Sequence, residues 1–511
     1  MLPSLSGPLD RLAARERISE VSLSSPLVWV PVVLLCAAGT VMRLLDFWRG
    51  LWEDELTVAY YTDIGLRQVL PTVAHNGAHP PLYFFVAVLD SRLGMDVVSA
   101  LRVPSITAGV ATIAVVYFLL LYLGGRAAAL VGGVLTAFAP IAIWYSDEGR
   151  MYALVWFLVL TSYLLLVVGS GSRRWRLTVW LCALTVGLAL WTDYSAALAL
   201  APQPLLILLL RHRRWFFGAW VVGWLSLVPW LFFLREQYGR IQAQRFPGVG
   251  TGLHAWTYVL LDLASVRAGY AALGDVLARP AAIALLVTLG AAAVLTVVAA
   301  WRGLLRLAVI TLSLTLGALA VAAALALQGT QAVIVPRVMG VIAFGFVFMF
   351  AAAAAVVFAR ESRAWRAVAG ACIALVVVCT VAAAGDVVQN GTNGVTWNAI
   401  ADRIQADAQP GDELIYYPIA TRYGVEQYLS PSSPWRTHFD GAWPSDTVRA
   451  EQLFATWSAG KPRVWFVYYA IAGIDMPGND LWFTQHGLCR VSGDPAIGHG
   501  LIEYVASTAP C

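Results

Sequence analysis

The chain has 511 residues, 59% hydrophobic and 13% charged, with a mean hydropathy of +0.70. That composition excludes an ordinary soluble globular protein and reads as a polytopic α-helical membrane protein. The net charge of +4 comes largely from arginines in short loops, a pattern that sets membrane orientation and argues against nucleic-acid binding. Lys461 is the only lysine, a usage that suits a high-GC, actinobacterial coding background and carries no mechanism.

The first 25 residues are polar, carry Arg11, Arg15 and Arg17, and read as a cytoplasmic tail with no cleavable signal peptide. A bilayer span needs roughly 17–25 apolar residues. Runs of that kind are expected at about 26–46, 103–123, 127–145, 151–169, 177–192, 194–210, 215–234, 281–300, 307–327, 338–358 and 367–385, which makes about 11 membrane helices within a domain over 26–388. The stretch 80–93 is too short to be another. The arginines at 126, 173, 174, 176, 211, 213, 214, 302, 306, 360, 363 and 366 all fall in loops that the positive-inside rule places in the cytoplasm, provided 80–93 does not cross. Residues 48–102 then form a first external loop with helices in the outer interface. The N-terminus lies inside and the C-terminus outside.

Within that loop, three acids in Trp52-Glu53-Asp54-Glu55 follow the first span directly, and His79-Pro80-Pro81-Leu82-Tyr83 follows later. A carboxylate at this depth can stay ionised while facing a lipid-linked substrate, although a solvated loop explains the acids as well. Residues 389–511 change character and alternate helical and strand patterns, as expected of a small extracytoplasmic α/β domain. Cys36, Cys182, Cys372 and Cys379 lie in apolar runs and read as packing residues. Cys489 and Cys511 alone lie outside them, and an extracytoplasmic location allows them to pair.

With this topology, Asp54, Glu55, His79, Arg102, Asp147, Glu148, Arg150, Asp193 and Arg337 all fall on the external side. Mixed acid and base at one depth, on separate helices, is what an extracytoplasmic membrane active site would need, and a chemistry that fits is glycosyl transfer from a polyprenyl-phosphate sugar. Arg102, Arg150 and Arg337 are candidates to bind the donor phosphate, because guanidinium stays charged and matches phosphate oxygens with its planar fork. An aspartate supplies the base that takes the proton of an acceptor hydroxyl.

The ordered succession of Trp52-Glu53-Asp54-Glu55, His79-Pro80-Pro81-Leu82-Tyr83, Leu101-Arg102-Val103-Pro104-Ser105, Arg150-Met151-Tyr152 and Pro336-Arg337 resembles the GT-C glycosyltransferases of the dolichyl-phosphate-mannose protein mannosyltransferase and aminoarabinose transferase type. The resemblance covers roughly residues 26–345. It implies Asp54 as catalytic base, with Glu55 orienting the acceptor or positioning a cation. His79, Tyr83, Asp147, Glu148, Tyr152 and Asp193 are candidate substrate-binding residues. The expected cofactor is none or a divalent cation, for which Glu55, Asp147 and Glu148 are candidate ligands. The resemblance also implies a polyprenyl-phosphate sugar donor (mannose, then arabinofuranose) and a glycan, glycolipid or protein acceptor. Many relatives carry His-Tyr where this chain has Asp193-Tyr194, and Asp147-Glu148 is more acidic than usual.

Structural roles stay open beside these. Arg102 and Arg337 also suit interface anchors, and Glu148 with Arg150 suits a local pair. His79 before two prolines suits a turn, and Asp193 suits a helix cap. Trp397, Trp435, Trp443, Trp457 and Trp482 suit either sugar stacking or core packing. A lipid-sugar flippase or a non-catalytic scaffold are the competing functions. Transport would want charges at span centres, where this sequence has none.

Overall fold

Long apolar helices dominate the protein. Its computed structural model describes residues 25–243, 256, 259–260, 274–328, 336–359, 362–390, 397–430, 432–436, 447–469, 476–493, 499–507 and 511. All but Ser25 of the N-terminal tail expected over 1–25, most of the loop expected at 235–280, and Trp443 lie outside the described residues. Among the described residues, seven helices of at least 18 residues are apolar enough to cross a membrane, and Val28–Leu44, Ala196–Ile207 and Val287–Trp301 are shorter apolar helices. The protein is therefore a polytopic helical membrane protein.

The longest helix, Val97–Phe138, has 42 residues and would extend about 60 Å if straight, twice the thickness of a bilayer core. It is broken at Gly125, whose φ of 79° lies where only glycine sits without strain. In contrast, Glu53–Ile64, Leu66–Asn76 and Leu82–Arg92 have 12, 11 and 11 residues, so none is long enough to span. Gly65, at φ 75°, separates the first two.

The chain divides into two units. The first comprises Met1–Phe47, Gln68–Val86 and Arg102–Thr392. Its centre is Val341–Phe358, nearly all of which is buried, including the small-residue run Ala351–Ala355. Small residues there let helix backbones approach closely, the packing device available when lipid surrounds the bundle. A side chain on Gly345 would meet Thr315 at 2.4 Å.

The second unit comprises Trp48–Arg67, Ala87–Leu101 and Asn393–Cys511, so the acid-bearing segment clusters with the C-terminal region despite some 350 intervening positions. Its sheet runs β1 (Glu413–Tyr417), β2 (Arg463–Tyr469), β4 (His499–Ala506) and β3 (Leu488–Ser492) in spatial order. β1 and β2 are parallel, while β4 is antiparallel to both β2 and β3. Strands β1, β2 and β4 and the helices Trp397–Asp407, Thr421–Glu426 and Thr447–Ser458 fall close to the positions their alternating or helical patterns mark. The edge strand β3 and the helix Met476–Gln485 carry no such clear pattern. The core joins Ile415, Tyr417, Phe454, Val464, Phe466, Tyr468, Phe483 and Ile502, with Trp457 and Trp482 packed against it. Trp397 and Trp465 are wholly buried. Core packing thus accounts for Trp397, Trp457 and Trp482. Cys489 and Cys511 are joined in a disulfide, and the other four cysteines are free.

Three bonds hold the helix Glu53–Ile64 within this unit, one before its start and two at its end. The Trp397 indole N–H donates to the Leu51 carbonyl at 2.6 Å. Asp63 accepts from the Arg422 guanidinium at 3.0 Å and from the Tyr423 hydroxyl at 2.9 Å. Burial pushes the Tyr423 phenol up from its ordinary value, so it remains a donor. Gly424 lies under Trp397, where a Cβ would meet the indole at 2.5 Å. Trp397→Phe keeps an aromatic ring and strands the buried Leu51 carbonyl, at a cost of about 1–3 kcal/mol. The check is the thermal midpoint of the purified protein, and an unchanged midpoint would remove this bond from the account of stability.

Candidate active site

In the second unit, Glu53, Asp54 and Glu55 form the first turn of the helix Glu53–Ile64. Backbone N–H groups and the positive end of the helix dipole favour ionised carboxylates at such positions. Asp54 is half-buried. Glu55 is fully buried, and its Oε2 accepts from the Trp52 backbone N–H at 3.3 Å. That is the back-reaching bond of a glutamate at the third helical position. Glu55 thereby helps fix the helix start that presents Asp54.

In the first unit, His79, Tyr83, Arg150 and Asp193 are brought together, with Ser105 as a fifth member. The segment before Leu82 is a turn stiffened by Pro80 and Pro81, and it places His79 and Tyr83 on the same neighbour. His79 Nδ1 lies 2.7 Å from Asp193 Oδ2, and His79 Nε2 lies 3.2 Å from Arg150 Nη2. The Tyr83 hydroxyl lies 2.8 Å from Ser105 Oγ, which donates to the Arg150 carbonyl at 2.7 Å. Arg150 is therefore gripped by side chain and by backbone. Its backbone N–H donates to the Glu148 carbonyl at 2.8 Å. Arg150 is 4% exposed, Asp193 3% and Ser105 0%.

Asp193 ends the helix Trp175–Thr192, and its second oxygen accepts from the Ser195 N–H at 2.8 Å. It serves both as a local turn former and as the partner of His79. Burial would push its carboxyl up, but the His79 and Ser195 bonds outweigh burial and hold it below the ordinary carboxylate range. A lowered folded value means the pair stabilises the protein at neutral pH. That contribution is lost as pH falls through the lowered value.

The remaining candidates are buried, apart from Arg337. Arg102 is 0% exposed and donates from Nη1 to the Phe47 carbonyl, so it is a buried cation and no interface anchor. Asp147 closes the helix Pro140–Asp147 and, like Glu148, is buried. Tyr152 is buried and packs edge-on to Tyr145. Arg337 lies in the short helix Pro336–Met339 and is partly exposed. Among the described residues, no group of three or more His, Cys, Asp or Glu side chains is placed to hold a metal ion.

Two residues of this unit escaped the sequence reading. Arg43, 0% exposed, donates to the carbonyls of Gly39 at 2.9 Å and Ala137 at 3.1 Å and interacts electrostatically with Asp147. It stands at the end of an apolar run, where an arginine passes for a headgroup anchor. Ser105 stands in a motif singled out for Arg102, and nothing in its own type signals its role.

Residues 78–234 match the sequence model of the dolichyl-phosphate-mannose-protein mannosyltransferase family. ArnT from Cupriavidus metallidurans in the apo state is similar in structure, with a TM-score of 0.56 at 14% identity over 93% of this chain and 97% of that one. ArnT bound to undecaprenyl phosphate matches at 0.56 and 13% identity, over 95% of this chain and 99% of the other. The arabinofuranosyltransferase AftD from Mycobacteria matches at 0.51 and 16% identity, over 97% of this chain and 41% of its own. No protein of curated function matches the sequence. The fold defined by these likenesses is the GT-C membrane fold. The family model matches residues 78–234 of the 511, and over nearly the whole chain the likeness to these structures is one of fold.

Proposed function

We propose that the protein moves a sugar, mannose first and arabinofuranose next, from a polyprenyl-phosphate donor to a glycan, glycolipid or protein acceptor of the cell envelope. The observation that carries this is Arg150, a buried cation held from both sides inside the family-matched segment. A guanidinium stays charged and matches phosphate oxygens with its planar fork, which suits it to a donor phosphate. The dolichyl-phosphate mannose of the matched family's description and the undecaprenyl phosphate bound by the similar ArnT are of this chemistry.

In the reaction, the acceptor hydroxyl oxygen bonds to the anomeric carbon as the bond from that carbon to the phosphate oxygen breaks. The hydroxyl proton passes to Asp54, and polyprenyl phosphate leaves with the electron pair. Charge grows on the departing phosphate, so arginines there favour the transition state over the bound donor. Arg150 and Arg102 are assigned this work, with Arg337 as a third donor. Tyr83 and Glu55 act by support, Tyr83 on the Arg150 loop and Glu55 on the Asp54 helix. Tyr152, Asp147 and Glu148 complete the lining, and Asp147 moderates the local positive charge through Arg43. The test is a donor screen with membranes of an overexpressing strain, supplied with polyprenyl-phosphate mannose or arabinofuranose carrying a labelled sugar. Release of polyprenyl phosphate with label in an acceptor is expected. Release from neither donor would overturn the proposed sugars.

The same reading proposes eleven spans, counting the two halves of Val97–Phe138 on either side of Gly125, with the C-terminal unit outside. The Cys489–Cys511 disulfide suits an oxidising compartment. Leu93 is 79% exposed after the short helix Leu82–Arg92, and Arg173 is exposed between two long helices. Introduced singly into a background lacking the four free cysteines, Leu93→Cys should react with a membrane-impermeant maleimide on intact cells and Arg173→Cys should not. The opposite pattern would invert the topology.

A further inference from the structure

We propose that the turns at residues 172–174 and 211–212 together form a binding site for the phosphate headgroup of an anionic phospholipid. The site lies apart from the group around Arg150, and nothing in it depends on which sugar is transferred.

Two apolar helices of the first unit, Trp175–Thr192 and Arg213–Leu225, begin at these turns. They run side by side in the same direction. At their starts the Trp175 and His212 rings stack, with centroids 4.2 Å apart and planes 9° from parallel. Further along, a Cβ on Gly223 would meet Val186 at 2.5 Å, and one on Gly187 would meet Ser226 at 3.0 Å. His212 has a φ of 62° and is the one non-glycine residue with positive φ among the described residues. Its ring lies flat on an indole, which holds the backbone in that uncommon conformation and clamps the two turns together.

Arg173, Arg174, Arg176, Arg211 and Arg214 are exposed around this stack, and none of them is ion-paired among the described residues. From residue 149 to residue 235 the sequence holds one acid, Asp193. It stands at the opposite end of the helix Trp175–Thr192, about 27 Å away along 18 residues. The Arg176 guanidinium is 5.5 Å from the centre of the Trp175 ring, and that of Arg214 is 6.0 Å from the centre of the Trp215 ring. An aromatic ring positions a guanidinium without neutralising it, as a carboxylate would. The positive ends of both helix dipoles add to the field at the same turns.

The wall beneath the arginines selects a lipid over a soluble anion. Leu177, Trp180, Leu181 and Leu184 recur at helical spacing on one face of the first helix and are 37% to 70% exposed. Trp215, Val222 and Leu225 are likewise exposed on the second helix. Cations at the end of an exposed apolar stripe match a molecule that carries a phosphate above acyl chains.

The test is native mass spectrometry of the purified full-length protein with added phosphatidylglycerol, phosphatidylcholine or inorganic phosphate, with thermal melts confirming that each variant is folded. The parent is expected to retain phosphatidylglycerol in preference to phosphatidylcholine. Arg174→Gln combined with Arg211→Gln should weaken phosphatidylglycerol binding about thirtyfold, from a loss of about fivefold for each arginine at the headgroup. Arg173→Gln combined with Arg214→Gln should act alike. Arg126→Gln combined with Arg302→Gln removes the same charge from exposed positions elsewhere and should bind within about threefold of the parent. A control pair that loses as much would show attraction by net charge alone and overturn the site. So would both patch variants binding like the parent, or equal retention of the two lipids by the parent. Inorganic phosphate that binds the parent as tightly as phosphatidylglycerol, and is lost in the same variants, would assign the site to a soluble anion and overturn the lipid.

Discussion

Asp54→Asn is expected to lower sugar transfer by about 10²–10⁴, the range for loss of a general base, while undecaprenyl phosphate still binds. The substitution keeps the side chain's shape and removes its capacity to take the acceptor proton. Asp54 occupies the first turn of the helix Glu53–Ile64, where the helix dipole favours the ionised form that a base must have before it acts. Losing a negative charge at that position costs the fold only about 0.3–1 kcal/mol, so the melting temperature should hardly move. A single-turnover assay with a labelled polyprenyl-phosphate sugar separates the two effects. Transfer within a few-fold of the parent would take the base assignment away from Asp54.

The second large effect is expected from opening the Cys489–Cys511 disulfide. It links edge strand β3 to the last residue across 22 positions, and β4 is the strand that β3 pairs with in the sheet. Chain-entropy reasoning for a loop of that size gives about 3 kcal/mol, the freedom regained by the unfolded chain when the link is cut. Cys511→Ser, or the parent with a phosphine reductant, should lower the melting transition of the C-terminal unit by on the order of 10 °C. The two treatments should not add, because they remove the same bond. A transition unmoved by either would show that strand pairing and the aromatic core about Phe454 and Phe466 hold this region alone.

Local pattern carried much of this protein. The apolar runs, the short helices between 53 and 92, strands β1, β2 and β4, and the pairing of the two cysteines outside the spans were all legible in order along the chain. Each depends on the period or type of neighbouring residues, which folding does not rearrange. The three acids after the first span were legible as well, but not that Glu55 turns back to Trp52 and leaves Asp54 at the helix start. β3 and the helix Met476–Gln485 were missed because an edge strand with one paired side carries little alternation.

Tertiary structure alone decided how the polar residues are shared. His79, Arg150 and Asp193 lie 71 and 114 positions apart, and nothing local distinguishes a histidine before two prolines as the spacer between them. Ser105 and Arg43 were invisible for the same reason, since a hydroxyl and a span-end arginine gain meaning only from the helix that packs opposite. Trp397 is the clearest case. Its N–H reaches Leu51 across 346 positions, a distance at which only packing, and no sequence period, selects the partner.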